Sequence, residues 1–142
     1  MSTEGYEPLA AQLSDHGLLS WLDLSAVDIE QGRVVFELPF DEKFANIASG
    51  SVHGGVTATI IDTASGFALR TTFDDPTDVA LTTTDLTTRY VRPATDDVRV
   101  EAEVVRAGSS MGVTECEVTT VHEGERKVVA TGGTTYRLFR DA

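Results

Sequence analysis

One segment of this chain, residues 53–71, carries a long helical pattern, whereas the other periodic segments alternate as strands do. Val56, Ile60, Ala64 and Phe67 recur at intervals of three or four residues, which places them on one face of an α-helix. A single helix of about 18 residues among many strands has to bury its apolar face against them. We therefore predict that this helix lies at the centre of the fold.

The alternating segments predict strands with one buried face. In residues 33–40, Val34, Phe36 and Leu38 alternate with residues that point the other way. The predicted strands are residues 18–29, 33–40, 79–91, 97–106, 112–122 and 126–139. A short helix is predicted over residues 7–16, within an N-terminal extension of residues 1–17. The result is one domain, residues 1–142, of the α+β class, with six antiparallel strands around one long helix.

The charge of the chain limits its partners. It has 11 Lys and Arg against 23 Asp and Glu, for a net charge of −12, whereas nucleic-acid binding needs a basic surface. No apolar run approaches the ~20 residues that span a bilayer, and the N-terminus lacks the basic and apolar parts of a signal peptide. We predict a cytoplasmic protein that binds neither nucleic acid nor membrane. The scarcity of lysine and the dispersed carboxylates resemble proteins from salt-accumulating organisms.

Asp62 has the most unusual position in the predicted helix. It falls almost opposite the apolar stripe, beside the small residues Ala58, Ser65 and Gly66. A solvated helix face in so acidic a chain more usually carries long charged side chains. Small residues therefore suggest that another backbone, a partner subunit or a ligand approaches this face. The alternative is that Asp62 is a solvated surface acid, and the helical pattern alone does not decide between the two.

The predicted helix begins with His53, Gly54 and Gly55. Its first turn has free backbone N–H groups at the positive end of the helix dipole, and the glycines leave them unshielded. Such a terminus can stabilise a developing oxyanion. Alternatively, the glycines only form a tight loop and His53 is a structural residue. Asp62 follows His53 by nine residues, about two and a half helical turns, and this combination favours a catalytic interpretation.

Residues 46–64, NIASGSVHGGVTATIIDTA, resemble the signature of hotdog-fold acyl-CoA thioesterases of the phenylacetate-degradation type. Residues 82–93, TTTDLTTRYVRP, are similar to the long strand of that family that ends in an aromatic residue and Arg-Pro. The resemblance covers about residues 20–139. It implies the hotdog fold, in which an antiparallel sheet wraps around one long central helix.

The resemblance also implies the catalytic roles of the helix. Asp62 would act on the thioester carbon, either as the general base for water or as the nucleophile. Gly55, with Gly54 beside it, would offer backbone N–H to the thioester oxygen. A thioester carbonyl is already electrophilic, so a positioned carboxylate and an oxyanion donor are sufficient for its hydrolysis.

Three further residues receive a role from the same resemblance. Asn46 and His53 would shape the loop before the helix and orient the water or the substrate. Thr83 would reach across from the other subunit and assist the water. Asn46 precedes His53 by seven residues, whereas the family more often has six.

Other catalytic and metal sites are not supported by the sequence. It contains no G-x-S-x-G elbow of an α/β-hydrolase. Cys116, the single cysteine, lies between Glu115 and Glu117, whose charges would raise its thiol pKa, so a core cysteine is favoured over a nucleophile. His16 and His122 have no partners at metal-ligand spacing. We expect no metal and no redox cofactor, and coenzyme A only as part of the substrate.

The phosphates of coenzyme A would need local positive charge on this acidic protein. Arg89, Arg92 and Arg106 are candidates, and the Gly108-Ser109 turn offers backbone N–H groups. The alternative for each arginine is a pairing with a surface carboxylate.

We therefore predict a hydrolase, an acyl-CoA thioesterase for aromatic or medium-chain acyl groups, that assembles as a homodimer or homotetramer. Two alternatives use the same fold. A hotdog hydratase or dehydratase acts on similar thioesters but depends on a catalytic histidine. A non-catalytic acyl-CoA-binding regulator would normally carry a DNA-binding segment, and residues 1–17 are short and acidic.

Overall fold

A computed structural model describes residues 1–140 of the 142-residue chain. The helices are α1 (Glu7–Asp15), α2 (Gly17–Leu22) and α3 (Gly54–Arg70). The strands are β1 (Ser25–Glu30), β2 (Arg33–Leu38), β3 (Ala80–Tyr90), β4 (Val98–Ala107), β5 (Met111–His122) and β6 (Glu125–Phe139). A short 3-10 turn, Glu42–Phe44, lies between β2 and α3.

All six strands form one antiparallel sheet in the order β1-β2-β4-β5-β6-β3. The sheet curves around α3, which contacts β2, β3, β4, β5 and β6. This is the hotdog architecture, and it confirms the predicted α+β class. The connection from β2 to β3 contains α3, so the helix is inserted between strands that lie far apart in the sheet.

The central helix matches its predicted range to within one residue at each end, since residues 53–71 were expected and Gly54–Arg70 are helical. The predicted apolar stripe is the buried face, and Ile60 and Ala64 are fully inaccessible to solvent. Phe67 packs edge-to-face on Phe36 of β2, with ring centroids 5.3 Å apart. Aromatic pairs in this arrangement add to the stabilisation from burial alone.

The first predicted strand, residues 18–29, was wrong over its N-terminal half, which forms helix α2. Leu19 and Leu22 are three residues apart and both buried. Residues at this spacing lie on the same face of a helix but on opposite faces of a strand. His16 begins α2 by accepting the N–H of Leu19 on its imidazole nitrogen. Asp23 ends the helix in the left-handed conformation, with φ of 63°, and β1 starts two residues later.

Strand β3 lies at the edge of the sheet, beside β6. Thr83 is opposite Tyr136 of β6, and a bulge follows it before Asp85. Tyr90 is opposite Ala130 near the other end of the strand. The inner face of β3 therefore runs along α3, with Thr83 and Tyr90 at different heights on the helix.

Candidate active site

The start of α3 has one unpaired backbone donor. His53 caps the helix, because its Nδ1 accepts the N–H of Gly55 at 2.9 Å. Within residues 1–140, the N–H of Gly54 donates no hydrogen bond. Of the two glycines predicted to offer an N–H, Gly55 is therefore paired with His53 and Gly54 is unpaired. His53 caps the helix, and its role in orienting water or substrate stays a prediction.

Tyr90 fixes the helix start from the side. Its hydroxyl donates to the carbonyl oxygen of Gly54 at 2.5 Å, and a Cβ on Gly54 would lie 3.2 Å from that hydroxyl. The sequence showed an aromatic residue at this place but gave it no partner. A cavity of about 330 Å³ adjoins the helix start and is lined in part by Asn46, Gly54, Tyr90 and Arg92. The structure therefore brings the predicted residues Asn46 and Arg92 to the same place as Gly54.

Asp62 is half-buried and held by hydrogen bonds, so it is not a freely solvated surface acid. Thr83 Oγ1 donates to its Oδ1 at 2.7 Å, and Tyr136 Oη donates to the same oxygen at 2.7 Å. Thr83 reaches Asp62 within one chain. The expectation that Thr83 comes from the other subunit was wrong, because the β3–β6 pairing places it over its own helix.

Tyr136 is a site residue that the sequence analysis missed. It lies within the last predicted strand, residues 126–139, and its side chain is 5% exposed. A buried tyrosine hydroxyl usually finds a hydrogen-bond partner, and this was the only available signal. Burial is the main cause that raises the pKa of Tyr136 above its ordinary value, so the phenol stays protonated and acts as a neutral donor.

The small residues around Asp62 are covered by the chain's own sheet. Gly66 lies against Tyr136, and a Cβ on Gly66 would be 2.9 Å from the tyrosine hydroxyl. Ser65 is fully buried and within hydrogen-bond distance of the Cys116 thiol and the Thr114 hydroxyl, at 3.1 and 2.8 Å. The predicted close approach is therefore made at these two positions by strands of the same chain, and not by a partner subunit or a ligand.

Cys116 is a core residue, as predicted, with 6% of its surface exposed. Burial raises the pKa of its thiol to about 11. The predicted direction was correct, but the cause differs. Glu115 and Glu117 point to the opposite, exposed face of β5 because neighbouring strand residues alternate.

The other candidate residues for coenzyme A are not brought to the helix start. Arg89 lies opposite Thr131 on the outer side of the sheet. At the β4–β5 turn, the N–H of Gly108 donates to Met111 and its carbonyl accepts from Arg140. Arg140 also bonds Thr72, just beyond the end of α3. This turn, with Ser109 and the nearby Arg106, therefore lies at the opposite end of the helix from Gly54.

Residues 1–140 contain no group of three or more His, Cys, Asp or Glu side chains placed to hold a metal ion. In the same part of the chain, no helix is long and apolar enough to cross a membrane.

Gly54 and Asp62 lie far apart in one chain. Eight residues of helix separate them, which corresponds to about 12 Å along the axis. A thioester carbon and its oxygen are joined by one short bond, so a donor and a base that act on the same group must lie within a few ångströms of each other. The two groups of a single chain cannot meet at one thioester.

A family model described as the thioesterase superfamily matches residues 49–127, which include the helix start, Asp62 and Thr83. The chain belongs to the thioesterase superfamily. Membership of this family supports thioester hydrolysis as its class of reaction.

Two relatives and one solved structure illustrate this membership. A Halobacterium salinarum protein, provisionally named an esterase, is 41% identical to this chain over 138 residues. The match covers 94% of this chain and 91% of that protein. Human acyl-coenzyme A thioesterase 13 is 31% identical over 117 residues, or 81% of this chain and 79% of its own. The PaaI protein of the phenylacetic acid degradation operon of E. coli has a TM-score of 0.81 at 20% identity, over 95% of this chain and 93% of that one. That last similarity shows the fold.

Proposed function

We propose that this protein hydrolyses acyl-CoA thioesters to the free acid and coenzyme A, and that its acyl groups are aromatic or medium-chain. The observation that carries the proposal is the hydrogen bonding of the Asp62 carboxylate. Its Oδ1 accepts two hydroxyl donors, and its Oδ2 has no hydrogen-bond partner within residues 1–140. One carboxylate oxygen is thus held and the other is free to accept a proton from water.

The separation of Gly54 and Asp62 supports a site that two copies share. If two α3 helices lie side by side in opposite directions, the start of each comes next to Asp62 of the other. A two-fold axis produces two such sites at once. The free edge of β3, which runs beside α3, offers a place for the second copy to pair. We therefore propose a homodimer as the smallest active unit.

The proposed reaction is general-base hydrolysis. Asp62 Oδ2 takes a proton from water as the water oxygen attacks the thioester carbon. The carbonyl oxygen becomes an oxyanion and is stabilised by the N–H of Gly54 from the second copy, at the positive end of α3. The tetrahedral intermediate then expels the thiolate of coenzyme A, which takes the proton from Asp62. Acid and thiol are the products, and the carboxylate is restored.

The cavity beside Gly54 suggests where coenzyme A enters. Arg92 lines this cavity and is the predicted arginine closest to the oxyanion donor in the fold. A guanidinium there would offset the charge of the substrate phosphates on a protein of net charge −12. Asn46, from the loop before α3, would contact the same part of the substrate.

A hydratase reaction is less compatible with the site. It would depend on a catalytic histidine, and His53 is the histidine at the helix start. The Nδ1 of His53 already accepts the N–H of Gly55, which makes it part of the helix cap. Asp62 Oδ2, which has no hydrogen-bond partner within residues 1–140, is the group that takes the proton in the proposed hydrolysis.

The test is thiol release from a panel of acyl-CoAs that includes phenylacetyl-CoA and hexanoyl-CoA. Asp62→Asn keeps an acceptor for Thr83 and Tyr136 but removes the base, so kcat should fall by about 10²–10⁴. Asp74→Asn, at an exposed loop position, is the matched control and should retain full activity. The proposal fails if the wild type releases no thiol from any acyl-CoA, or if Asp62→Asn stays fully active.

A further inference from the structure

Both hydrogen bonds to the Asp62 side chain end on the same oxygen. Thr83 Oγ1 and Tyr136 Oη each lie 2.7 Å from Oδ1. Tyr136 Oη also lies 2.8 Å from the backbone carbonyl oxygen of Asp62, so it contacts the residue at two points. These contacts fix the rotation of the carboxyl group.

We propose that Tyr136 is a positioning residue for the hydrolysis, which turns Oδ2 of Asp62 toward the substrate. This inference rests on the proposed function. Two hydroxyl donors on Oδ1 hold the carboxylate in one orientation, in which Oδ2 has no hydrogen-bond partner within residues 1–140. The phenol therefore acts on the reaction through Asp62 and does not contact the thioester.

The packing around Tyr136 is specific to this contact. The ring is 5% exposed, so no bulk water competes for its hydroxyl. Gly66 lies one helical turn beyond Asp62, and a Cβ there would come within 2.9 Å of Oη. Glycine at position 66 is what lets a tyrosine from β6 cross the helix and reach the carboxylate.

The first experiment compares kcat and KM for wild type and Tyr136→Phe. The variant keeps the ring and loses the donor. We expect kcat to fall about tenfold while KM stays unchanged, because the orientation of the base changes and the substrate contacts do not. Tyr6→Phe, at a partly buried tyrosine of the N-terminal segment, is the matched control and should leave both constants unchanged. An unchanged kcat, or a loss of kcat/KM that lies in KM alone, would overturn the proposal.

The second experiment reaches the same contact from the helix. Gly66→Ala pushes the hydroxyl away while leaving Tyr136 in place, and should also lower kcat at unchanged KM. In the Tyr136→Phe background the alanine meets no hydroxyl, so the double variant should resemble Tyr136→Phe alone. Additive losses in the double variant would contradict the inference. Circular dichroism and thermal melting confirm that each variant is folded, and an inactive wild type would refute the proposed function instead.

Discussion

Gly54→Pro is the substitution that isolates the proposed oxyanion donor. Proline has no backbone N–H, and Gly54 is the first residue of α3, the helical position where proline is best tolerated. The residue before a proline prefers an extended backbone, and His53 already has φ of −57° and ψ of 133°. The variant should therefore keep the helix and lose one hydrogen atom from the site.

The expected loss follows from that single donor. Removal of one oxyanion-hole hydrogen bond typically costs about 10²–10³ in kcat. The cost to folding should be small, because the N–H of Gly54 has no acceptor within residues 1–140 that the substitution would break. The carbonyl of Gly54 remains available to Tyr90.

The assay is steady-state thiol release, and Gly54→Ala is the control. Alanine introduces a Cβ near Tyr90, at 3.2 Å from its hydroxyl, but keeps the N–H. It should lose no more than a few-fold in kcat, since the crowded atom is the end of a flexible side chain. If Gly54→Pro is as active as wild type, or if Gly54→Ala loses as much as Gly54→Pro, the N–H is not the oxyanion donor.

The charge and the buried thiol give further predictions. The Debye length falls from ~10 Å at 0.1 M salt to ~3 Å at 1 M, so repulsion among the carboxylates weakens as salt is added. The Tm of the wild type should therefore rise between 0.1 M and 2 M KCl. A flat or falling Tm would contradict salt adaptation. Glu115 lies directly opposite Glu103 across β4 and β5, and like charges in this position repel. Glu115→Gln should therefore add about 0.2–1 kcal/mol to the free energy of unfolding in low salt and weaken its dependence on salt. Denaturant titrations that give the same salt dependence for variant and wild type would exclude this repulsion. The Cys116 thiol has a pKa of about 11 when folded and ionises at about 9 when unfolded, so the unfolded chain loses its proton first and stability falls as the pH rises from 9 to 11. Cys116→Ala should flatten the fall between pH 9 and 10, measured by urea unfolding, and equal slopes would show that the thiol is not its cause.

The periodic parts of the fold could be predicted from the sequence. The helical stripe of α3 and the alternation of β2 are local patterns, and each is repeated often enough to define its period. The segment that contains Leu19 and Leu22 is too short to define a helical period. Its helix depends on an N-cap and on a left-handed Asp23, which a search for alternation does not detect.

The site could be predicted only where its chemistry is local. The helix start and Asp62 lie nine residues apart on one element, and the pattern shows both. Tyr136 lies 74 residues from Asp62, and its strand pattern says that it is buried without saying what it meets. Thr83 was assigned to the wrong subunit for the same reason, since the bulge and register that bring it to Asp62 are properties of the folded sheet.

In the proposed dimer, one thioester is hydrolysed by Asp62 of one copy and Gly54 of another. The most direct measurement mixes Asp62→Asn with Gly54→Pro, each inactive alone, under conditions in which subunits exchange. In the mixed dimer, the Asp62 of the proline variant meets the intact Gly54 of the asparagine variant. Half of the dimers are mixed and each has one intact site, so about a quarter of wild-type thioesterase activity should return. No recovery, in a sample where native mass spectrometry shows the mixed dimer, would contradict the shared site.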